Sequence, residues 1–461
     1  MGGGILRIER EPWVREIMKG GYDLHVHTLP SHFARGLDDM ELARQCDDFG
    51  MAGALIKSQY EPPPGRAGLV NRSSGAKAVM YGAVALNQPV GGINPYAAEC
   101  ALRLGGGLPF AQADSLLLPK QEFSPKENRY LQPTPTLSLE AVTHGKFMEQ
   151  AEDWTADHTV GRDLWVSLKA RCELLLGKKE NNGVYLGTDG QTLFAQYTAP
   201  VDLNRRMDAV NALADKLSVP VYFSLVPDKT YVYPDRLPHG APLTDDGSTA
   251  AAAAQLCSEK VAFIDLYSAP WGQDSFYRTD HHWTTMGAYT GYLTLSQAMH
   301  GSVTLMENEP LLESDQFFGT TWSSAGTTWI KPDSIYTWVS DKLGVQVLAY
   351  PNGKPVEGQL YVRDKLDTKD KYSMFLGGNQ PLCVIKNPSG TQGKLLVIRD
   401  SYSDSLAPFL ALDYQEVHLF DLRYNLTPIS QYVEENGIYQ VLVLYSAENF
   451  STDNSVALMA R

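Results

Sequence analysis

At the start of the chain, short continuous apolar runs alternate with stretches of helical spacing. Tyr22–Thr28 reads as a strand end, Asp38–Phe49 as a helix, Ala52–Lys57 as a buried strand and Ala78–Asn87 as another strand. This is the rhythm of βα units in a barrel or parallel sheet. The Gly105-Gly106-Gly107 run breaks it, and Leu108–Pro135 is proline-rich, polar and without period. Residues 1–107 therefore read as a partial (βα) barrel-like segment, and 108–140 as a linker or extended arm.

Regular patterning resumes with a helical stretch over Lys146–Leu176, then two apolar runs around Asp189-Gly190, a hairpin signal. Asn204–Leu217 reads as a helix leading into the strand VPVYFSLVP, and Ala250–Ser258 as a helix leading into VAFIDLY. Thr284 is placed to cap a helix running to Met299. Residues 301–392 carry short β-like runs (SIYTWVS, VQVLAY, QLYVR) and predict a β-rich insertion. The end of the chain returns to strand–helix alternation: KLLVIRD, SLAPFLAL, EVHLFD, SQYVEEN, YQVLVLY. Residues 141–461 are thus expected to form one α/β domain.

Composition narrows the function classes. A formal charge of -14 over 461 residues excludes a general phosphate-binding surface, because nucleic-acid affinity rests on clustered Lys and Arg. The five cysteines show no C-x-x-C pair, so neither a zinc knuckle nor a disulfide scaffold is indicated. No run of about 18 apolar residues occurs, and the opening MGGGILRIEREPW predicts no export signal.

The segment Phe276-Tyr-Arg-Thr-Asp280-His281-His282-Trp283 lies between a predicted buried strand and a capped helix, where α/β folds place working side chains. In an extended loop, Asp280 and His282 project to one side, so the carboxylate orients one imidazole nitrogen and leaves the other free as a base. A nucleophile is expected where a strand gives way to a helix, with backbone N–H groups near a developing oxyanion. Lys394–Ser403 offers that context, with Ser401 directly after the strand and Ser403 as the fallback. A D-x-H pair also reads, more simply, as a local hydrogen-bonded cap. Trp283 reads as packing or, alternatively, as a sugar-stacking ring.

The Asp280-x-His282-Trp283 run, the strand-borne Arg-Asp-Ser401-Tyr-Ser, Glu122-Phe-Ser-Pro-Lys-Glu-Asn-Arg-Tyr and Val226-Pro-Asp-Lys together resemble the DHHW family of bacterial proteins. That family is similar to the SGNH-like alginate O-acetyltransferases. The resemblance covers about residues 122–461 and implies a permuted SGNH-hydrolase-like three-layer α/β/α fold, because an ordinary SGNH chain places its serine first. It also implies that Asp280 orients His282, His282 deprotonates Ser401, and Ser401 carries an acyl group, usually acetyl, to a sugar hydroxyl or water. Asn449, Arg423 and Asn425 then fall, by position, where such enzymes keep oxyanion or substrate donors. The implied setting is an extracytoplasmic bacterial surface, with a polysaccharide partner and a membrane-bound O-acyltransferase as acyl donor; the triad requires no cofactor. The Arg399-Asp400 pair departs from the expected Gly-Thr, and Asp400 beside the nucleophile threatens an anionic intermediate.

Near the N-terminus, Asp23-Leu-His25-Val-His27 at a strand end resembles the H-x-H of amidohydrolase-like and PHP-like metal hydrolases, in which His25 and His27 would reach one divalent ion. Ile56-Lys57-Ser58, Ala85-Leu86-Asn87 and Gly91–Pro95 extend that resemblance, with Lys57 a further candidate ligand and Gln59 where a histidine is common. Such a barrel needs about 250 residues to close, so this segment is a truncated form or part of a fusion. The chain thus has three readings: a serine-dependent O-acetyltransferase or O-acetylesterase acting on a polysaccharide, a metal-dependent hydrolase at His25 and His27, or a glycan-binding protein without turnover.

Overall fold

The computed structural model describes residues 15–16, 18–31, 34–58, 61, 63–84, 122–124, 126, 129–135, 146–158, 162–195, 202–241 and 245–461. Gln59, Asn87 and the Gly91–Pro95 run lie outside these. The chain divides into two compact units, residues 1–122 with 131–162 and residues 123–130 with 163–461. The fold is mixed α/β.

The smaller unit holds β1 (Tyr22–Val26), α1 (Asp39–Asp48), β2 (Gly53–Ser58), α2 (Pro64–Ser73) and β3 (Val79–Val84), its strands forming a parallel sheet in the order β1-β2-β3. Asp38 starts α1 through a capping box with Glu41, which satisfies two amide groups the helix leaves open. Leu42, Ala43 and Cys46 of α1 pack with Ala54 and Ile56 of β2, Ala67 and Val70 of α2, and Met80 of β3. This small core matches the predicted βα rhythm.

In the larger unit, β4 (Val184–Leu186) and β5 (Leu193–Ala195) pair antiparallel around Asp189-Gly190. Gly190 takes a positive φ there, and Asp189 Oδ1 accepts the Gln191 and Thr192 amides, so the hairpin expected from sequence forms. The following elements are α3 (Leu203–Lys216), β6 (Val221–Val226), α4 (Asp246–Leu256), β7 (Val261–Phe263), α5 (Thr285–His300), β8 (Leu311–Phe317), α6 (Thr320–Ala325), β9 (Asp333–Thr337), β10 (Gln346–Ala349) and β11 (Val356–Gly358). β12 (Leu382–Lys386), β13 (Gln392–Arg399), α7 (Tyr402–Asp413), β14 (Tyr414–Phe420), α8 (Ile429–Asn436), β15 (Gln440–Ser446) and α9 (Ala447–Thr452) complete it.

The main sheet runs β7-β6-β15-β13-β14-β12-β10-β11. Its first five strands are parallel and the rest antiparallel. Three strands of the 301–392 region thus extend this sheet, and the β8–β9 pair stands apart. The run QLYVR contributes no strand: Tyr361 makes a single bridge to Phe375, and Arg363–Asp367 closes into a 3-10 turn. Alternation along β13 sends Leu395 and Val397 to one face, packed with Tyr292 and Leu295 of α5 and Leu406 and Leu410 of α7. Leu396 and Ile398 go to the other, against Met207 and Val210 of α3 and Tyr432 and Val433 of α8. All four strand residues are fully buried, each worth about 1.5–3 kcal/mol relative to exposure. They make β13 a rigid base for the turn that carries Ser401.

Candidate active site

Parallel strands deliver their C-terminal ends to one edge of the sheet. Here that edge receives Asp228 and Lys229 after β6, the Ile264–Thr284 loop after β7, Ser401 after β13, Asp421 and Arg423 after β14, and Asn449 after β15. Ser401 sits at the start of α7 in a helical conformation, and its side chain makes no capping bond. Its hydroxyl is therefore left for another partner.

That partner is His282. Its Nε2 lies 2.7 Å from Ser401 Oγ, and its Nδ1 lies 2.6 Å from Asp280 Oδ1. Residues 119 apart in sequence meet in one hydrogen-bonded chain from carboxylate to imidazole to alcohol. Residues 259–420 match the family model described as DHHW protein. Residues 196–321 match the model described as "SGNH hydrolase-like domain, acetyltransferase AlgX", and residues 20–125 match a "Family of unknown function (DUF6282)". Among solved structures, a DHHW family protein from Eubacterium siraeum is similar at 21% identity and TM-score 0.53, covering 60% of this chain and 95% of that one. PatB1 of Bacillus cereus with a sulfonyl adduct is similar at 22% identity and TM-score 0.50, covering 60% and 99%. These likenesses establish the SGNH-like α/β fold of the larger unit. No curated protein matches the chain.

Asp280 is buried and fully engaged. Its Oδ1 accepts the His282 amide and faces His282 Nδ1, and its Oδ2 accepts the Thr320 amide at 2.7 Å and the Thr320 hydroxyl at 3.0 Å. Burial opposes its charge, yet the His281 and His282 rings and the bonds from His282 hold its carboxyl well below the usual carboxylate range. Asp280, His281 and His282 lie close enough to share a metal ion. Both Asp280 oxygens and both His282 nitrogens take part in hydrogen bonds within the protein.

The loop carrying Asp280 is held from several sides. Lys229, 1% exposed, donates from Nζ to the carbonyls of Tyr277, Arg278 and Asp280 at 3.2, 3.3 and 2.7 Å. Burial pulls its ammonium down to about 8 against the attraction of Asp228 and Asp280. Asp333, on β9, accepts from the Thr279 amide and hydroxyl and from Arg278 Nε. Sequence reasoning noted Lys229 only inside a family segment and missed Asp333 and Thr320; nothing local to those residues marks them.

The ring faces of His282 are also covered. Tyr372 stacks on one, with centroids 3.8 Å apart and planes within 11°. His281 lies against His282 at 3.9 Å and 36°, and its Nδ1 meets the Thr320 hydroxyl. Burial, and then the neighbouring His282, push His281 down to about 3, so it stays neutral beside the His282 ring.

The remaining predicted residues fall differently. Trp283 is fully buried, its indole N–H shared between the Tyr402 carbonyl at 3.0 Å and Ser405 Oγ at 2.9 Å, which is the packing reading and corrects the sugar-stacking alternative. Arg423 is corrected too: its guanidinium grips the fully buried Asp421 through Nε and Nη2 at 2.9 and 2.6 Å, which takes it out of an oxyanion role. Asn425 closes the same turn, its side-chain oxygen accepting the Thr427 amide. Asn449 does reach the nucleophile's neighbour, donating to Asp400 Oδ2 at 2.9 Å. Asp400 also accepts the Tyr402 and Ser446 amides. Three donors therefore engage the carboxylate that the sequence flagged as a threat. Ser403 is fully buried with no partner for its hydroxyl, which removes it as the fallback nucleophile.

In the smaller unit, His25 Nε2 and His27 Nε2 lie 3.1 Å apart. Burial, then Arg35, lower the His27 pKa, and the Lys57 carbonyl faces that ring from β2. Among the described residues, no third His, Cys, Asp or Glu joins the pair. No helix of the described residues is long and apolar enough to cross a membrane.

Proposed function

We propose that the larger unit is a serine O-acyltransferase or O-acylesterase that takes acetyl groups to or from a surface polysaccharide through an acyl-Ser401 intermediate. The observation that carries this is the unbroken Asp280–His282–Ser401 hydrogen-bonded chain, with both links under 3 Å. In the first step Ser401 Oγ attacks the donor's acyl carbon while His282 Nε2 takes its proton. The tetrahedral intermediate then collapses, and His282 returns the proton to the departing alkoxide. A sugar hydroxyl or water repeats the sequence in reverse order of roles, with Asp280 holding the imidazole in the tautomer that both steps need. An amide NH2 has two donors; Asn449 uses one on Asp400, and we assign the second, together with the Ser401 amide, to the oxyanion.

We read the fold as a permuted SGNH-like three-layer domain, in which β13, β14 and β15 take the place of the usual first strands. The smaller unit's parallel sheet is read as a fragment of a βα barrel. We also read the acyl donor as a membrane-bound O-acyltransferase and the setting as an extracytoplasmic surface, as the resemblance in sequence implies. PatB1 has been solved with a sulfonyl adduct, and a sulfonyl fluoride or p-nitrophenyl acetate is expected to add one group to this chain. Intact-mass analysis tests it. An adduct that persists in Ser401→Ala refutes the acyl-serine reading.

A second reading concerns His25 and His27. Two nitrogens bound to tetrahedral zinc at about 2.0–2.1 Å stand roughly 3.3 Å apart, close to the 3.1 Å found here. We infer a two-histidine cation site. Bound zinc measured on the purified chain, lost in His25→Ala, supports it; less than about a tenth of an equivalent after zinc loading, where tight three-ligand sites fill, ends it.

A further inference from the structure

The proton-carrying ring of the triad is gripped on its faces as well as at its nitrogens. Tyr372 comes from a 3-10 turn, Lys371–Met374, far in sequence from both triad motifs. Its ring is nearly parallel to the His282 imidazole at 3.8 Å. Its hydroxyl is fixed by the Ser401 carbonyl at 3.2 Å and Ser405 Oγ at 3.0 Å. Ser405 Oγ in turn accepts the indole N–H of Trp283, the residue after the base. The nucleophile's backbone, the base's neighbour and the stacked phenol thus share one closed network. Tyr372 is 5% exposed, so water does not compete at the stacked face.

We propose that Tyr372 is a positioning residue of the triad, whose ring face both fixes the imidazole plane toward Ser401 Oγ and stabilises the imidazolium that forms when His282 takes the serine proton. The chemistry is general. A ring quadrupole attracts a cation over its face, more strongly where the pair is desolvated. Neutral His281 on the other side adds no competing charge. Imidazolium exists only after proton transfer, so the attraction grows on the way to the tetrahedral intermediate and acts on kcat more than on KM. This inference rests on the triad reading, and its test separates the two.

The test uses the full chain with p-nitrophenyl acetate as probe. Four forms are compared: wild type, Ser401→Ala, Tyr372→Phe, and position 372 carrying 3,4,5-trifluorophenylalanine, which keeps the ring's shape and depletes its face. Expected is a Phe variant within about fivefold of wild type, and a fluorinated variant slower by roughly a further tenfold in kcat, with KM nearly unchanged. The acid limb of the rate–pH profile should also move to lower pH in the fluorinated form, because the charged ring loses stabilisation. Equal kcat and equal pH profiles for the Phe and fluorinated forms overturn the inference while leaving the triad intact. Turnover retained by Ser401→Ala overturns the triad reading and this inference with it.

Discussion

Gly319 is the sharpest test of how the base is supported. It precedes α6, at an ordinary φ of -81°, so an alanine there meets no backbone strain. The obstacle is steric: a Cβ at this position would lie 2.2 Å from Asp280 Cβ and Oδ2 and 2.6 Å from its Cγ. Carbon contacts settle near 3.5–4.0 Å, so either Asp280 or the α6 start must retreat by roughly 1 Å or more. Asp280 has nowhere to go without loss, because its two oxygens hold the His282 amide, His282 Nδ1, and the Thr320 amide and hydroxyl. Misplacement by about 1 Å in a catalytic constellation costs on the order of 10²-fold in rate, and a carboxylate that no longer selects the tautomer costs up to about 10⁴-fold. Overpacking of this kind destabilises by about 1–3 kcal/mol, leaving most of a domain's stability in place. Gly319→Ala is therefore expected to fold and to lose between about 10²- and 10⁴-fold in kcat for p-nitrophenyl acetate. Gly272→Ala, whose Cβ would find only Ser275 Oγ at 3.8 Å, serves as the active control. A folded Gly319→Ala protein with wild-type kcat would show that Asp280 is not held as described.

Lys229→Met removes a buried ammonium and strands three carbonyls, so urea unfolding should show a loss of about 2–4 kcal/mol, with kcat falling as the 277–280 loop relaxes. Glu448→Gln tests a carboxyl that burial, then Asp228 and Asp400, raise from 4.5 to about 7. A carboxyl raised on folding holds a proton the unfolded chain releases, so its contribution is present below pH 4.5 and is lost as pH rises toward about 7. The variant should flatten the decline of Tm across that window, and an unchanged slope would exclude Glu448 as its source. Asn449→Ala should lower kcat by roughly 10²-fold if its second N–H reaches the oxyanion; a loss confined to KM would assign it to substrate binding.

Much of this was legible in the amino-acid pattern. The strand KLLVIRD announced β13 because an uninterrupted apolar run bounded by polar residues is what a strand buried on both faces looks like. Asp280 and His282 were legible because their spacing and their place before a capped helix are local features. The supports were not, because Lys229, Gly319, Thr320, Asp333 and Tyr372 act through contacts 39 to 90 positions away, measured along the sequence from the Asp280–His282 motif. Each has an ordinary local explanation: a cap, a helix start, a strand end, a core tyrosine. Arg423 misled in the opposite sense. Position after a central strand suggested a donor, whereas Asp421 two residues earlier offers a buried carboxylate that a guanidinium satisfies bidentately.

The need for so many supports comes from the strand order. Ser401 follows β13, the fourth of the five parallel strands, whereas the base sits on the long loop after β7, the edge strand. Three strand spacings of about 4.8 Å separate β7 from β13, so the loop must carry His282 roughly 14 Å across the sheet edge. A free loop of that length would spread the imidazole over many positions, and catalysis demands one. Lys229 ties its carbonyls from β6, Asp333 ties its amide and hydroxyl from β9, and the start of α6 ties the carboxylate. Tyr372 then limits the remaining freedom, rotation and tilt of the imidazole itself. The β-rich region between 301 and 392 supplies three of these four contacts, and it also lends β10, β11 and β12 to the main sheet and Phe317, Ile335 and Phe375 to the core that holds Leu395 and Val397, so it is built into the scaffold that aims the base.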